Sequence, residues 1–155
     1  LKQKTGTVQV ISAEQTHPLR HRILRPNQTL ADCTYPLDDA ANSFHVGYFI
    51  DDQLVGVGSV FQEALEGETN EAAWRIRGMA VDEEFRSYGI GGKLLEALIT
   101  YAAQQSVPGV IWCNGRVSVQ GFYERYGFKQ VGDVFDLPPI GPHVVLRRSL
   151  SGENQ

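Results

Sequence analysis

The feature that most constrains this chain is a change of hydrophobic period near its middle. Trp74-Arg75-Ile76-Arg77-Gly78-Met79-Ala80-Val81 reads as a strand. Ile90, Leu94, Leu98 and Tyr101, supported by Leu95 and Ala102, instead share one face of a helix. Between them lies Arg86-Ser87-Tyr88-Gly89-Ile90-Gly91-Gly92-Lys93, a glycine-rich turn. A strand that passes through such a turn into an amphipathic helix must bury the helix's apolar stripe on a sheet. Other segments supply that sheet. Val8-Gln9-Val10-Ile11 is a first strand, and residues 44–50 and 53–61 form a hairpin about Asp51-Asp52. Residues 107–113, 128–135 and 143–150 complete the strands, the last two around the Pro138-Pro139 loop. A helix is expected to begin near Pro18, since proline suits a first turn, and to end at Arg25-Pro26. A short helix fits residues 118–126, closed by Gly127. Residues 26–43, rich in Pro, Asp, Asn and Thr, read as a long loop with room for a short helix, and residues 63–73 as an acidic, solvated connection. Residues 151–155 read as a frayed tail.

With 155 residues and 17.2 kDa, the expectation is one domain over residues 1–155, of the α/β or α+β class. A chain of this size buries roughly 70% of its unfolded surface, enough for a core without staples. Fourteen Lys and Arg against 18 Asp and Glu leave a charge of −4, which argues against a general nucleic-acid binder. Cys33 and Cys113 stand far apart and in no metal-ligand spacing, so neither a disulfide framework nor a metal site is expected. No apolar run reaches the length of a membrane span and no signal-peptide shape opens the sequence, so the expected location is the cytoplasm.

The glycine-rich turn carries the chemistry. At a helix start the first backbone N–H groups lack partners, the dipole favours negative charge, and glycines let the backbone approach a bulky anion. Arg86 and Lys93 add charge at either end, so a phosphate or pyrophosphate is the natural occupant. Two standard phosphate motifs are excluded by counting. A dinucleotide fingerprint needs glycine where Leu94 stands, and a P-loop needs glycine at Ser87 and a hydroxyl residue at Leu94. The plainer reading is a glycine turn with no ligand.

Arg86-Ser87-Tyr88-Gly89-Ile90-Gly91 resembles the Gln/Arg-x-x-Gly-x-Gly/Ala signature of the GNAT N-acetyltransferase superfamily. Gly78-Met79-Ala80-Val81 looks like the strand before that signature, and Ile111-Trp112-Cys113-Asn114 like the strand after it. Phe122-Tyr123-Glu124-Arg125-Tyr126-Gly127-Phe128 is similar to the family's helix-to-strand element. The resemblance implies a mixed, mostly antiparallel sheet of about seven strands with a splayed central parallel pair, flanked by about four helices. It also implies acetyl-CoA as co-substrate, no metal, and transfer of acetyl to a primary amine of a small molecule or peptide by direct attack in a ternary complex. Nucleic acid and membrane are not implied as partners, and a homodimer is an assembly common among relatives. Carried over, Met79, Ala80 and Val81 would bond the pantetheine arm through their backbone. The N–H groups of Arg86, Ser87, Tyr88, Gly89, Ile90, Gly91 and Gly92 would cradle the pyrophosphate. Asn114, at the end of the other splayed strand, would contact the amide-bearing arm, and Tyr123 would act as general acid near the sulfur.

Each assignment has a plainer counterpart. Tyr123 would otherwise be a packed aromatic with its hydroxyl bonded to backbone, and Asn114-Gly115 a turn signal. Tyr88 and Tyr126 are competing phenols away from the matching position. Cys113 reads as a buried apolar thiol rather than a nucleophile. No carboxylate stands on the strand before the signature, where Arg75 or Arg77 points inward, which leaves Glu63, Glu71, Asp82 and His45 as candidate bases. Arg75 or Arg77 could recognise an acidic group on the acceptor, or support the acidic connection. Arg20, Arg22, Arg25 and the loop through Asp39 are further candidates for acceptor recognition, against a solvated basic face. His17 and His21, four apart, lack a third ligand for zinc. The competing function is a non-catalytic acyl-CoA-binding or sensing module.

Overall fold

The computed structural model describes residues 6–65 and 72–151. Its strands are β1 (Thr7–Val10), β2 (Phe44–Ile50), β3 (Gln53–Gln62), β4 (Ala73–Val81), β5 (Gly109–Arg116), β6 (Lys129–Leu137) and β7 (Gly141–Leu150). They form one seven-stranded sheet in the order β1-β2-β3-β4-β5-β7-β6. β4 and β5 are parallel, with Ala73, Trp74 and Arg75 opposite Val110, Ile111 and Trp112, while β1–β2, β2–β3, β5–β7 and β6–β7 are antiparallel. This is the mixed, mostly antiparallel architecture expected. The α-helices among the described residues are α1 (Ala13–Leu19), α2 (Ile90–Gln105) and α3 (Gln120–Glu124), joined by shorter helical turns. The chain gathers into two compact units, Leu1–Phe61 with Arg77–Tyr101, and Gln62–Ile76 with Ala102–Gln155. Among the described residues no helix is long and apolar enough to cross a membrane.

In the first unit the period change does what it predicts. Ile90, Leu94, Leu95 and Leu98 of α2 are buried, each contributing about 1.5–3 kcal/mol by leaving water. The helix comes close to β3 because Gly58 has no side chain: a Cβ there would lie 2.6 Å from Met79 Sδ and 3.2 Å from Leu98 Cδ1. The neighbouring residue Val57, on the other face of the pleat, packs with Ile11, Leu19 and Ala80. Asp51 and Asp52 both take left-handed φ, 50° and 65°, as a two-residue hairpin turn requires.

The N-terminal helix starts earlier than Pro18. Ser12 caps it: its Oγ accepts from Gln15 N at 3.2 Å, and Gln15 Oε1 accepts from Ser12 N at 2.9 Å. That reciprocal cap outweighs the preference of proline for a first turn, so Pro18 falls inside α1. The helix then widens into a π turn over Arg20–Leu24, where Arg25 N bonds Arg20 O at 3.1 Å. Arg25 leaves the helical region before Pro26, as expected. In the 26–43 loop the short helix is a 3-10 turn, Leu30–Cys33.

The second unit corrects two expectations. β5 runs through Asn114-Gly115 to Arg116, with Asn114 opposite Val145 and Gly115 opposite Val144, because an antiparallel ladder to β7 overrides the local turn preference. Asn114 therefore sits inside β5 rather than at its end. The helix expected over 118–126 is shorter, a 3-10 turn Val117–Val119 followed by α3, and it is closed by Gly127 at φ 88°. The acidic connection falls largely on residues 66–71, and most of the frayed tail on residues 152–155; both stretches lie outside the described residues.

A buried polar network fixes the 26–43 loop. Arg20, 0% exposed, donates Nη1 to Cys33 O (2.7 Å) and Asp38 Oδ2 (2.8 Å), and Nη2 to Asp38 Oδ1 (3.0 Å) and Ser59 Oγ (3.0 Å). His45 lies 2.7 Å from Ser59 Oγ through Nδ1 and 2.9 Å from Asp38 O through Nε2. A carbonyl only accepts, so Nε2 carries the proton and Nδ1 accepts from Ser59. Burial alone would raise the Asp38 carboxyl, but the Arg20 guanidinium and the Tyr35 N–H hold it below the ordinary carboxylate value. Burial pushes the His45 imidazolium the other way, below its ordinary value. With both folded pKa values depressed, the unfolded chain binds more protons in each window and stability falls on acidification. For His45 the loss begins as pH drops below about 6.5, and for Asp38 below about 4. We expect the melting temperature to fall as pH is lowered from 7 to 5, and His45→Asn to flatten that slope; an unchanged slope removes His45 as its cause. Arg20→Ala, which leaves a buried carboxylate unpaired, should cost about 3–5 kcal/mol in urea denaturation.

Candidate active site

In the first unit β4 leads into a 3-10 turn, Glu83–Tyr88, capped by Asp82 Oδ1, which accepts from Glu84 N at 3.1 Å. Gly89 then takes a left-handed conformation, φ 75°, and α2 begins at Ile90. Lys93 N reaches back to Gly89 O at 3.3 Å, so the N–H groups of Ile90, Gly91 and Gly92 precede the first rung of the helix and face its positive end. Arg86 and Ser87 are exposed beside them, with Arg86 Nε donating to Val81 O at 3.3 Å. The turn thus has the shape and charge of an oxyanion cradle. Arg86, Ser87 and Tyr88 belong to the 3-10 turn rather than to an open loop.

In the second unit Tyr123 is 6% exposed and Cys113 2%. The ring of Tyr123 meets Phe122 and Phe128 edge-on, at centroid distances of 5.1 and 5.4 Å, and its phenol lies beside the Cys113 thiol. Burial, followed by the neighbouring Cys113, raises the phenol well above its ordinary pKa. Burial likewise pushes the Cys113 thiol up to about 12, against smaller lowering effects from the Tyr123 hydroxyl and Arg75. Because Cys113 meets Tyr123, its strand neighbour Asn114 leaves β5 from the opposite face. The structure does not bring these two expected site residues to one face of the strand. Tyr126 and Tyr88 are both half-buried and apart from the Cys113 contact.

The described candidate bases are occupied elsewhere. Glu63 pairs with Arg75 at 3.1 Å, and its carbonyl accepts from Trp112 Nε1 at 2.8 Å. Asp82 caps the 3-10 turn and accepts from Arg22 at 3.0 Å. The Glu84 N–H first, then Arg22 and Arg86, hold its carboxyl below the ordinary value despite burial. His45 is saturated in the buried network, and Glu71 lies outside the described residues. Among the cations offered for acceptor recognition, Arg20 is a core strut, Arg22 pairs with Asp82, and Arg75 supports the acidic connection through Glu63. Arg25 and Arg77 instead stand near Tyr35. His21 Nε2 is 2.6 Å from Gln28 O, and His17 Nε2 is 3.6 Å from Asp38 Oδ2. Among the described residues no group of three or more His, Cys, Asp or Glu could hold a metal ion. The sequence did not single out Tyr35 or Asp38; the available signal was a pair of carboxylates, Asp38-Asp39, in a loop that follows a cation-rich helix.

Residues 11–128 match the Acetyltransferase (GNAT) family. The chain is 40% identical over 143 residues to YitI of Bacillus subtilis (strain 168), an "Uncharacterized N-acetyltransferase", covering 92% of this chain and 95% of that protein. The ribosomal-protein-S18-alanine N-acetyltransferase from Escherichia coli superposes with a TM-score of 0.72 at 15% identity, covering 97% of this chain and 99% of that one. An aminoglycoside 6'-N-acetyltransferase complexed with coenzyme A gives 0.72 at 16% identity, covering 93% and 97%. At such identities the two structures speak to the fold.

Burial and high pKa make both cysteines poor nucleophiles, Cys33 being 0% exposed and its thiol also raised by burial. We expect neither thiol to react with an aromatic disulfide reagent at pH 8 in native protein, and both to react once it is unfolded. A fast-reacting thiol in the native state would contradict the burial of Cys113.

Proposed function

The chain belongs to the GNAT acetyltransferase family and is an N-acetyltransferase; from that premise we propose that it is a single-domain cytoplasmic enzyme moving acetyl from acetyl-CoA to a primary amine, both substrates bound at once. The observation that carries this reading is the glycine-rich start of α2, where the N–H groups of Ile90, Gly91 and Gly92 precede the first helical bond. These amides would hold the pyrophosphate, with Arg86 and Ser87 beside it. β4 runs on to Val81, past the ladder in which Ala73, Trp74 and Arg75 face β5. A strand that outruns a ladder offers main-chain donors and acceptors, and those of Met79, Ala80 and Val81 suit the amides of a pantetheine arm.

The reaction needs a carbon–nitrogen bond to form, a carbon–sulfur bond to break, and a proton for the departing thiolate. Tyr123 is our assignment for that proton. Its raised pKa keeps the phenol protonated at neutral pH, as an acid requires. Cys113, with a pKa of about 12, holds its own proton and is no carrier of acetyl. Proximity within the ternary complex then replaces a covalent intermediate.

Calorimetric titration with acetyl-CoA should show stoichiometric binding, and an amine screen read by free thiol should show sustained release. Absence of binding would remove the basis of the proposal. Tyr123→Phe should lower kcat about 10²-fold or more while acetyl-CoA affinity stays within about twofold. Equal loss of both, or no loss, removes Tyr123 from the mechanism.

A further inference from the structure

In the second unit one imidazole has a nitrogen that the protein leaves open. His143, near the start of β7, is 4% exposed. Its Nδ1 lies 2.7 Å from Gly141 O, and a carbonyl only accepts, so in the neutral ring Nδ1 carries the proton. The lone pair is then on Nε2. That nitrogen has no hydrogen-bond partner among the described residues and is not an enclosed atom, so it opens to solvent. Phe135 backs the ring, with centroids 6.1 Å apart and planes inclined by 33°. Glu63, Asp82 and His45 are each held by other groups; this nitrogen is not.

Strand pairing decides where that nitrogen stands. His143 is opposite Arg116 on β5 and Phe135 on β6, and antiparallel partners share a face. Asn114 and Arg116 alternate with Cys113 and Gly115, so they leave β5 on the face away from Tyr123. Both are half-buried, and neither side chain makes a hydrogen bond or ion pair among the described residues. On the other face the Tyr123 ring stands against Gly115, where a Cβ would lie 3.7 Å from Tyr123 Cε2. The ladder from β4 ends at Trp112, while β5 runs on to Arg116 paired with β7. The end of β5 thus carries a phenol on one face and an open imidazole nitrogen on the other. An attacking nitrogen and a departing sulfur occupy different corners of one carbon, so an acid and a base placed on opposite sides can serve one displacement. Of the charged groups on elements packed against β7, Arg116 shares the face of His143. On β6, Asp136 is opposite Pro142 on the other face, Asp133 is exposed, and Lys129 is opposite Arg147 farther along β7. Glu124 of α3 is exposed, and the turn Val117–Val119 carries no charge.

We propose that His143 Nε2 is the general base of this enzyme, taking the proton that the amine sheds as its nitrogen attacks the thioester carbon. The inference deepens the acetyltransferase reading and rests on it. A carbon–nitrogen bond forms, the carbon–sulfur bond breaks, one proton passes from nitrogen to Nε2, and the sulfur receives the proton of Tyr123. The imidazolium then releases its proton to solvent, and the phenolate takes one back. The test follows thiol release from acetyl-CoA with phenethylamine, lysine, spermidine and a peptide with an N-terminal alanine as probe amines. For a probe that turns over, log kcat of the wild type should fall with a slope of about one on acidification. His143→Asn keeps a donor for Gly141 O but lacks Nε2. It should lower kcat about 10²-fold and lose the acid limb, while acetyl-CoA binds within about twofold of wild type and circular dichroism confirms the fold. His143→Gln, with a neutral amide in place of the ring, should do the same. In the wild type, diethyl pyrocarbonate should abolish turnover in step with carbethoxylation of His143, read by peptide mass spectrometry. A flat wild-type profile, a folded variant that keeps kcat or the acid limb, or turnover that survives carbethoxylation of His143 would overturn the proposal and leave the acetyltransferase reading standing. Absence of amine-dependent release from every probe would strike that reading as well.

Discussion

A guanidinium removed from water must find acceptors within the protein, and Arg20 finds them on two separate stretches of chain, the loop 26–43 and β3. It bonds the carbonyl of Cys33, the carboxylate of Asp38 and the hydroxyl of Ser59, and Ser59 passes the chain of bonds to His45, which returns to the carbonyl of Asp38. The π turn after α1, the loop 26–43, β2 and β3 are therefore fixed together. Burial of Cys33 and Tyr35 orders part of the loop, and directed bonds to one charge order the rest. Tyr35 then has its place decided, since its N–H serves Asp38 and its ring lies on Arg20.

Where the sequence is legible, the local pattern and the tertiary demand agree. The change of period between Trp74 and Ala102 places β4 and α2, and Asp51-Asp52 marks its hairpin because two left-handed residues in a row favour very few residue types. Where it misleads, one local preference is beaten by another or by pairing at long range. Pro18 suits a first turn, but the Ser12–Gln15 cap starts the helix sooner. Asn114-Gly115 suits a turn, but a ladder to Val145 and Val144 keeps it in β5. The alternation of that strand then separates Asn114 from the face on which Cys113 meets Tyr123. Asp38 was hidden for another reason: its role is defined by a partner eighteen positions away, and nothing in a single sequence reports which carboxylate faces which cation.

Recognition through main chain and recognition through side chains differ in how they can be read. A helix start binds an anion through main-chain amides, whose direction follows from the fold alone, so a glycine pattern is enough to suggest it. Acceptor recognition depends on side chains, and several arginines were equally eligible. The structure ties three of them to a carboxylate each: Arg20 to Asp38, Arg22 to Asp82 and Arg75 to Glu63.

The pairing of Tyr123 with Cys113 bears on which chemistry this chain can run. An acyl-carrying cysteine needs a thiolate, and thiolates arise beside cations or helix starts in partly open places. Cys113 is buried, its thiol is pushed up to about 12, and the group beside it is a phenol with a raised pKa of its own. Neither member loses a proton readily. A departing thiolate needs a proton as its bond to carbon breaks, and a phenol protonated at neutral pH still holds one. Direct transfer to a bound amine asks this pair only for a held proton, whereas transfer through the protein would ask it for the thiolate that its burial denies.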